Sequence, residues 1–548
     1  MGHNSSAAST ASAAEAALAY VDKHQQRFLD ELFDLLRIPS ISTLPKHRKD
    51  MRKAAKFVAR QMEGAGLKRV KIIKTEGHPL VYGEWLEAAG KPTVLLYGHY
   101  DVQPVDPIEL WDSPPFEPEV RDNNIYARGA VDDKGQVFAL IKALESMMKT
   151  GHGLPVNVRM LVEGEEEAGG ESIEAYVKAR HDRLACDVAY IADTGIPAPN
   201  VPALVYGLRG IIYTEIIAQG AKGDLHSGGF GGVAPNPIHA LALVLAGLKG
   251  ADGRITMPEL YERLTPVTQE ERALWDRSPV DIPALLKKEM GVNVLPGEQD
   301  IDPRERLAAR PTLEVHGIRG GFVDEGAKTV IPAKAVAKVS LRLPPELSPA
   351  WVLGLLRKRV AELCPPGVTM TLSMIHAGDG VTVPLDNVYI RAAERALEQE
   401  WGRPPVFERE GGSIPIAALF SQLLHAPVVM MGAGLPDDNV HAPNEKFHLP
   451  NFYHDIRQTV RYLDILGQDP AIVARPGVMA AKPTPASNGA KAAQPQPATT
   501  AAKPAAATKT PAAPAKKPAP TPPAKKPAPT PPAAPAKKPA VKKPGGAE

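Results

Sequence analysis

Five short segments carry the residues able to do chemistry. The first is Leu96-Tyr97-Gly98-His99-Tyr100-Asp101-Val102, where His99 and Asp101 stand two apart at the end of an apolar run. Alternate residues of an extended chain share one face, so imidazole and carboxylate point the same way. Such a histidine can bind a metal ion while the aspartate accepts its other ring N–H and fixes its tautomer. The second is Arg128-Gly129-Ala130-Val131-Asp132-Asp133-Lys134-Gly135, with adjacent carboxylates ahead of a predicted helix. Helix capping is the plain alternative to a ligand role there. The third, Val162-Glu163-Gly164-Glu165-Glu166-Glu167-Ala168-Gly169-Gly170, sets a run of glutamates between glycines, directly after a buried-looking strand. Neighbouring glutamates so placed can divide metal binding from proton transfer. The fourth is Asp193 in Tyr190-Ile191-Ala192-Asp193-Thr194-Gly195; the fifth is residues 436–445, which contain His441. Two histidines and four or more carboxylates, without cysteine, suit a pair of divalent ions such as Zn²⁺, Mn²⁺ or Co²⁺.

Such residues need elements to hold them. Apolar spacing predicts helices over 15–36 and 51–64, then strands over 70–74, 93–97, 156–162 and 188–192 with helices over 136–148 and 172–178 between them. Four of the five segments follow a strand, and ligand sites of open α/β sheets lie at strand carboxyl ends. After Val205 the texture changes to antiparallel-looking strands, 211–218 and 334–343, with helices over 237–248 and 349–363. The α/β texture returns at 387–400, 428–432 and 451–466. The expectation is an α/β catalytic domain with a mostly parallel sheet and flanking helices, split into 1–206 and 384–472. An α+β lid and dimerisation domain with an antiparallel sheet is inserted at 207–383, and a disordered tail covers 473–548.

Composition narrows the classes. The chain has 548 residues and a net charge of +2. Residues 481–548 hold 12 lysines and one acid, a net +11, which leaves −9 for the other 480 residues. That tail also holds 18 of the 56 prolines and repeats AKKPAPTPP at 515–523 and 524–532. It cannot bury enough apolar surface to offset chain entropy. Two cysteines, Cys186 and Cys364, exclude a disulfide scaffold and a thiolate metal site and fit a reducing compartment. Residues 1–14 lack a basic start and an apolar run, and no apolar stretch has the length of a membrane span, so a cytoplasmic protein is expected. There is no GxSxG, Walker A or HExxH pattern.

In this order, the five segments resemble the co-catalytic dinuclear metallopeptidase family that includes carnosinase, cytosolic nonspecific dipeptidase, carboxypeptidase G, succinyl-diaminopimelate desuccinylase and acetylornithine deacetylase. The resemblance covers most of residues 20–470. Gly223-Asp224-Leu225-His226-Ser227-Gly228, Gly326-Ala327-Lys328-Thr329-Val330-Ile331-Pro332, Glu410-Gly411-Gly412-Ser413-Ile414-Pro415 and residues 128–135 look like its dipeptidase branch. The resemblance implies that Asp132 bridges two metal ions, with His99 and Asp193 completing one site and Glu167 and His441 the other. It implies that Asp101 orients His99 and that Glu166 is the general base acting on a metal-bridging water. A cis peptide is implied after Asp132. His226 is expected to stabilise the oxyanion from the partner subunit of a homodimer, Arg342 to hold the substrate carboxylate, and Ser413, Thr329 and His376 to line the pocket.

The leading expectation is hydrolysis of dipeptides or short peptides with a free carboxylate, using two divalent ions, zinc first and manganese or cobalt as alternatives. An N-acyl amino acid deacylase uses the same chemistry and is the rival. Polyanion or nucleic-acid binding through the basic tail is a third class, opposed by the acidic body and the lack of a reading module.

Overall fold

The computed structural model describes residues 12–474. The disordered tail expected over 473–548, and the polyanion-binding alternative that rests on it, fall outside those residues apart from positions 473 and 474.

The main sheet has nine strands. At its centre Asn157–Glu163, Thr93–His99, Val188–Ile191 and Val428–Met430 run side by side and parallel. Lys68–Ile73 and Leu80–Trp85 extend one flank with antiparallel pairing. Ala203–Leu208 forms the other flank, paired antiparallel with Val428–Met430 and Val381–Thr382 and parallel with Val406–Glu410. The central strands are buried along their whole length, as strands covered on both faces must be. Because these four are parallel, their carboxyl ends share one edge. His99 pairs with Glu163 in register, and Tyr97 with Ile191.

Helices cover the sheet. Ala13–Leu36 packs beside Lys134–Lys149 and Leu449–Gln468, with Leu18, Val21, Phe28, Leu32 and Leu35 buried at helical spacing. Ser12 caps its start, accepting from the Glu15 N–H at 3.2 Å. Lys134–Lys149 is buried at nearly every position, with Val137, Phe138, Leu140, Ile141 and Leu144 in the main core.

A second, four-stranded sheet lies between residues 210 and 378, in the order Thr312–Gly320, Lys334–Leu343, Gly210–Gln219, Thr369–Gly378, all antiparallel. Its inner face alternates as a one-sided sheet should: Ile212, Ile216 and Ala218 join Val339 and Leu341 in a separate core under helices Pro237–Leu248 and Pro349–Leu363. The outer face carries Tyr213, Arg342 and His376; Arg342 pairs with Ile211 and His376 with Tyr213.

Element positions expected from periodicity agree with these within a few residues, except that the helix expected over 172–178 runs on as Glu171–Leu184. The strand expected over 70–74 is found as Lys68–Ile73, but it pairs antiparallel at the sheet flank. The edge strands Thr312–Gly320 and Thr369–Gly378 and the short helices of 259–308 were not anticipated. Three of those helices begin at prolines, Pro258, Pro283 and Pro303, and all are too short for a long apolar period to develop. Although it lies in the inserted stretch, Gln269–Trp275 packs on the main sheet: Trp275 Nε1 donates to Tyr206 Oη at 3.0 Å, and Tyr206 Oη to Glu271 Oε1 at 3.1 Å. Among the described residues no helix is long and apolar enough to cross a membrane.

One close approach positions the site. A Cβ on Gly98 would lie 2.6 Å from Asp133 Oδ2 and 2.7 Å from Val137 Cγ2. Glycine there lets the helix Lys134–Lys149 start against the strand end, where Asp133 Oδ2 accepts the His99 N–H at 2.9 Å. The substitution Gly98→Ala is expected to cost about 1–3 kcal/mol through overpacking and to weaken metal binding with it. Thermal unfolding with and without added metal checks both; unchanged values in both states contradict the role.

Candidate metal centre

His99 ends its strand fully buried. Its Nδ1 lies 3.1 Å from the Asp101 carbonyl oxygen and 3.3 Å from Asp101 Oδ1. Asp101 is held in turn, since its Oδ2 accepts the Glu167 N–H at 3.1 Å. The other ring atom, His99 Nε2, is buried without a hydrogen-bond partner and faces Asp132 Oδ1 at 3.1 Å and Asp193 Oδ2 at 3.6 Å.

On the far side of Asp132, His441 Nε2 lies 2.9 Å from Asp132 Oδ2 and 3.2 Å from Glu167 Oε2. Two groups can therefore hold a metal ion, His99–Asp132–Asp193 and Asp132–Glu167–His441, each with its ligand atoms within 4.8 Å of one another. Asp132 belongs to both. Its peptide bond to Asp133 is cis. Asp133 occupies the cap position of the following helix, yet its side chain makes no capping bond.

The electrostatics fit a cation site. Although burial pushes upward, hydrogen bonds to His441 and His99 hold the Asp132 carboxyl below its ordinary value. Hydrogen bonds to Asp132 and Glu167 push His441 up to about 11. Burial, then the Asp132 carboxylate, pushes Glu167 up to about 7. Burial also drives Glu166 well above the usual carboxylate range, with Glu167 and Asp193 adding to it. Burial is the first reason these acids resist ionising; the crowding of carboxylates adds to it, and the same crowding gives His441 its proton. Divalent cations satisfy that crowding, and the orphaned His99 Nε2 supplies a ligand atom aimed at one of them.

Residues without an assigned role in the sequence hold the ligands in place. Glu445 is buried and accepts four hydrogen bonds: from Arg128 Nη1 at 2.8 Å and Gly129 N–H at 2.9 Å on Oε2, and from Val131 N–H at 3.1 Å and Asp132 N–H at 3.2 Å on Oε1. One carboxylate thus fixes the loop that presents Asp132. The available signal was Arg128, an arginine in an apolar stretch that needs a carboxylate if buried. Gln103 Nε2 donates to Glu167 Oε2 at 2.7 Å. The loop around His441 contains three non-glycine residues with positive φ, Asn439 (54°), His441 (62°) and Asn444 (61°). Such a backbone persists only when its surroundings over-determine it. Here Asp438 does so from a fully buried position, accepting the Leu435 N–H at 2.6 Å and Lys446 Nζ at 2.8 Å.

Beside the metal groups a cavity of about 870 Å³ is lined by Glu166, Glu167, Tyr213, Arg342, His376 and Ser413, among others. The outer face of the second sheet and the glutamate turn of the first thus look onto one space. His376 stacks on Tyr213 with ring centroids 5.3 Å apart, and burial with the nearby Arg342 holds its imidazole below the ordinary value. Ser413 Oγ donates to the Arg209 carbonyl. His226 pairs with Val330 in the short pair Leu225–His226 and Val330–Ile331, and just beyond it Ser227 N–H donates to the Thr329 carbonyl at 3.1 Å. His226 Nδ1 accepts from the Gly228 and Gly229 N–H groups at 3.0 and 3.3 Å. Neither residue lines this cavity.

Residues 95–464 match the family described as Peptidase family M20/M25/M40. The chain belongs to this peptidase family. It is 32% identical over 463 residues to the Cys-Gly metallodipeptidase dug1 of Schizosaccharomyces pombe, covering 81% of this chain and 96% of that protein. The crystal structure of human carnosine dipeptidase 1 superposes with a TM-score of 0.75 at 29% identity, covering 84% of this chain and 99% of that one. An M20 family metallo-carboxypeptidase of Sulfolobus solfataricus, Sso-CP2, gives a TM-score of 0.72 at 30% identity over 80% of this chain and 99% of that one. The chain is thus a peptidase that works with divalent metal ions, with the mixed α/β fold of the M20 dipeptidases.

In this M20 peptidase, Glu445→Gln keeps the size of the side chain but turns one acceptor into a donor facing N–H groups. Metal affinity is expected to fall about 10–100-fold, the usual cost of losing a group that orients a ligand. Metal titration against a competing chelator checks this, and wild-type affinity contradicts it.

Proposed function

We propose that this chain hydrolyses the amide bond of unblocked dipeptides, with the free carboxylate of the substrate held by Arg342. The observation that carries the reading is that Glu166 and Arg342 line one cavity beside two metal-binding groups sharing Asp132. His99, Asp132 and Asp193 would hold one ion, and Asp132, Glu167 and His441 the other. When bound, the two cations polarise the scissile carbonyl and acidify a water molecule.

The chain's own groups do the rest. Glu166 takes the proton of the attacking water at its carboxylate and returns it to the leaving amine. Asp101 orients His99. The Arg342 guanidinium matches a carboxylate as a planar fork. His376, held neutral beside it, can donate or accept one hydrogen bond to the same substrate end. Ser413 lines the same wall.

Zinc is the proposed metal, from the mixed imidazole and carboxylate donor set, with manganese or cobalt as alternatives. We further propose that 207–383 serves as lid and dimerisation domain to a catalytic domain formed by 1–206 and 384–472. In a homodimer the exposed His226, together with Thr329, would then reach the partner's cavity and stabilise the oxyanion. A cytoplasmic setting fits the free thiols of Cys186 and Cys364.

The test is turnover of the metal-loaded full chain on a dipeptide panel with acetyl and succinyl amino acids as controls. Dipeptides are expected to be cleaved faster; faster cleavage of the acyl compounds makes it a deacylase. Glu166→Gln should retain its metal and lose about 10²–10⁴-fold in kcat. Near-normal kcat contradicts the assignment of the base. Arg342→Ala should lose about 1.5–3 kcal/mol of transition-state binding, read as a fall in kcat/KM.

A further inference from the structure

The acidic balance of the first 480 residues is not spread evenly. Residues 45–74 hold eleven basic residues and two acids, a net +9, which leaves −18 for the rest of those 480. Six of the eleven, Arg48, Lys49, Arg52, Lys53, Lys56 and Arg60, stand on the helix Arg48–Gly64, and all six are exposed. At 3.6 residues per turn they fall within an arc of about 140° along about 18 Å of axis. The opposite arc buries Met51, Ala54, Ala55, Val58 and Met62 in the main core.

Missing partners set this face apart. Other surface helices place an acid three or four positions from a base: Arg37 with Asp34, Lys178 with Glu174, Lys358 with Glu362, Arg391 with Glu394. Among the described residues none of the six has a carboxylate within ion-pair distance, and the adjacent acid, Asp50, is paired with His47 at 2.9 Å instead. Arg48–Arg52, Lys49–Lys53, Arg52–Lys56 and Lys56–Arg60 put like charges at i, i+4, a spacing that weakens a helix. The fold is served by the apolar face alone, so the charged face answers to something outside it.

A row of unpaired cations fits a row of anions. Arginine forks and lysine ammonium groups both bind phosphate. One strand of duplex nucleic acid offers a phosphate every 3.4 Å or so, about five over the length of this row. Acids farther off than the screening length, about 8 Å at physiological ionic strength, oppose such binding little. Lys71 and Lys74, in and just after the adjoining edge strand Lys68–Ile73, add charge beside the helix, although they also guard an open sheet edge. An anionic membrane fits less well. Among residues 44–71 no large apolar side chain is exposed, so this face has nothing to insert into a bilayer.

We propose that the exposed face of Arg48–Gly64 binds the phosphate backbone of nucleic acid without reading its bases. The six side chains offer charge and N–H donors, with no exposed aromatic ring among them on which a base could stack. The inference does not depend on the substrate reading above.

The experiment measures binding of the full chain to a fluorescent DNA duplex of about 20 base pairs, by anisotropy, between about 50 and 200 mM salt. The unaltered chain should bind at the lower salt and weaken steeply as salt rises. Arg52→Gln with Lys53→Gln and Lys56→Gln should weaken binding about tenfold or more at the lower salt. It should also flatten the plot of log affinity against log salt by about one unit of slope per charge removed. Lys178→Gln with Lys358→Gln and Arg391→Gln takes the same charge from exposed bases that already have acid partners, and should leave affinity and slope close to those of the unaltered chain. The lysine-rich stretch 481–548 is present in all of these proteins, so its contribution cancels. Glutamine suits exposed helix positions, so both variants are expected to fold, and thermal unfolding checks it. No binding at the lower salt, unchanged affinity in the first variant, or an equal loss in the second overturns the proposal. Tighter binding to phosphatidylserine–phosphatidylcholine vesicles than to the duplex, at equal phosphate, overturns the choice of nucleic acid.

Discussion

Asp132 presents its two carboxylate oxygens in different directions, Oδ1 toward His99 Nε2 at 3.1 Å and Oδ2 toward His441 Nε2 at 2.9 Å. Both metal-binding groups depend on that one side chain standing between two histidines more than 300 positions apart in sequence. The rest of the fold meets this requirement. Parallel central strands bring His99 and the residues after Glu163 and Ile191 to a common edge. Gly98 lets the helix after Asp133 start against that edge, and Glu445 gathers the N–H groups leading into Asp132. A carboxylate so surrounded by other carboxylates is stable only with positive charge beside it, which ties the shape of the site to the ions it would hold.

Two different kinds of support surround that centre. On the strand side, geometry is enforced by burial: His99 and Asp101 are fully enclosed. On the loop side, His441 is exposed, and its left-handed backbone is held by a buried Asp438 with its Lys446 partner. The second sheet then adds Arg342 and His376 from its outer face, so the groups proposed to hold a substrate end come from a separate layer of the molecule. This division, metal-binding groups at the edge of one sheet and the proposed substrate groups on another, leaves room for the two to be tuned apart.

Much of the centre was legible in the sequence through five ordered segments that together resemble one family, since each alone has a plain structural use, such as helix capping at Asp132 and Asp133. His99, Asp132, Glu167, Asp193 and His441 all fall in the two metal-binding groups. Strand and helix positions were legible for the same reason that they form: Asn157–Glu163 is an apolar run buried along its length, and Ala13–Leu36 keeps one apolar face. What was not legible depends on distant pairing. Glu445 reads as one more acid in a polar loop until Arg128 is placed against it at 2.8 Å. The pairing direction of Lys68–Ile73 is set by its neighbour rather than its own pattern. Helices of four to nine residues at 259–308 are too short, and too often begun by proline, to show a period of their own.

The most direct test of the shared carboxylate is metal content, measured by elemental analysis after equilibration at a fixed free-metal concentration. The unaltered protein should bind roughly two ions per chain. His99→Ala and His441→Ala should each lower that content by about one ion, because each removes a ligand from one group only. Asp132→Ala should lose both, with the fold retained. An Asp132→Ala protein that keeps one ion per chain at wild-type affinity would contradict the account.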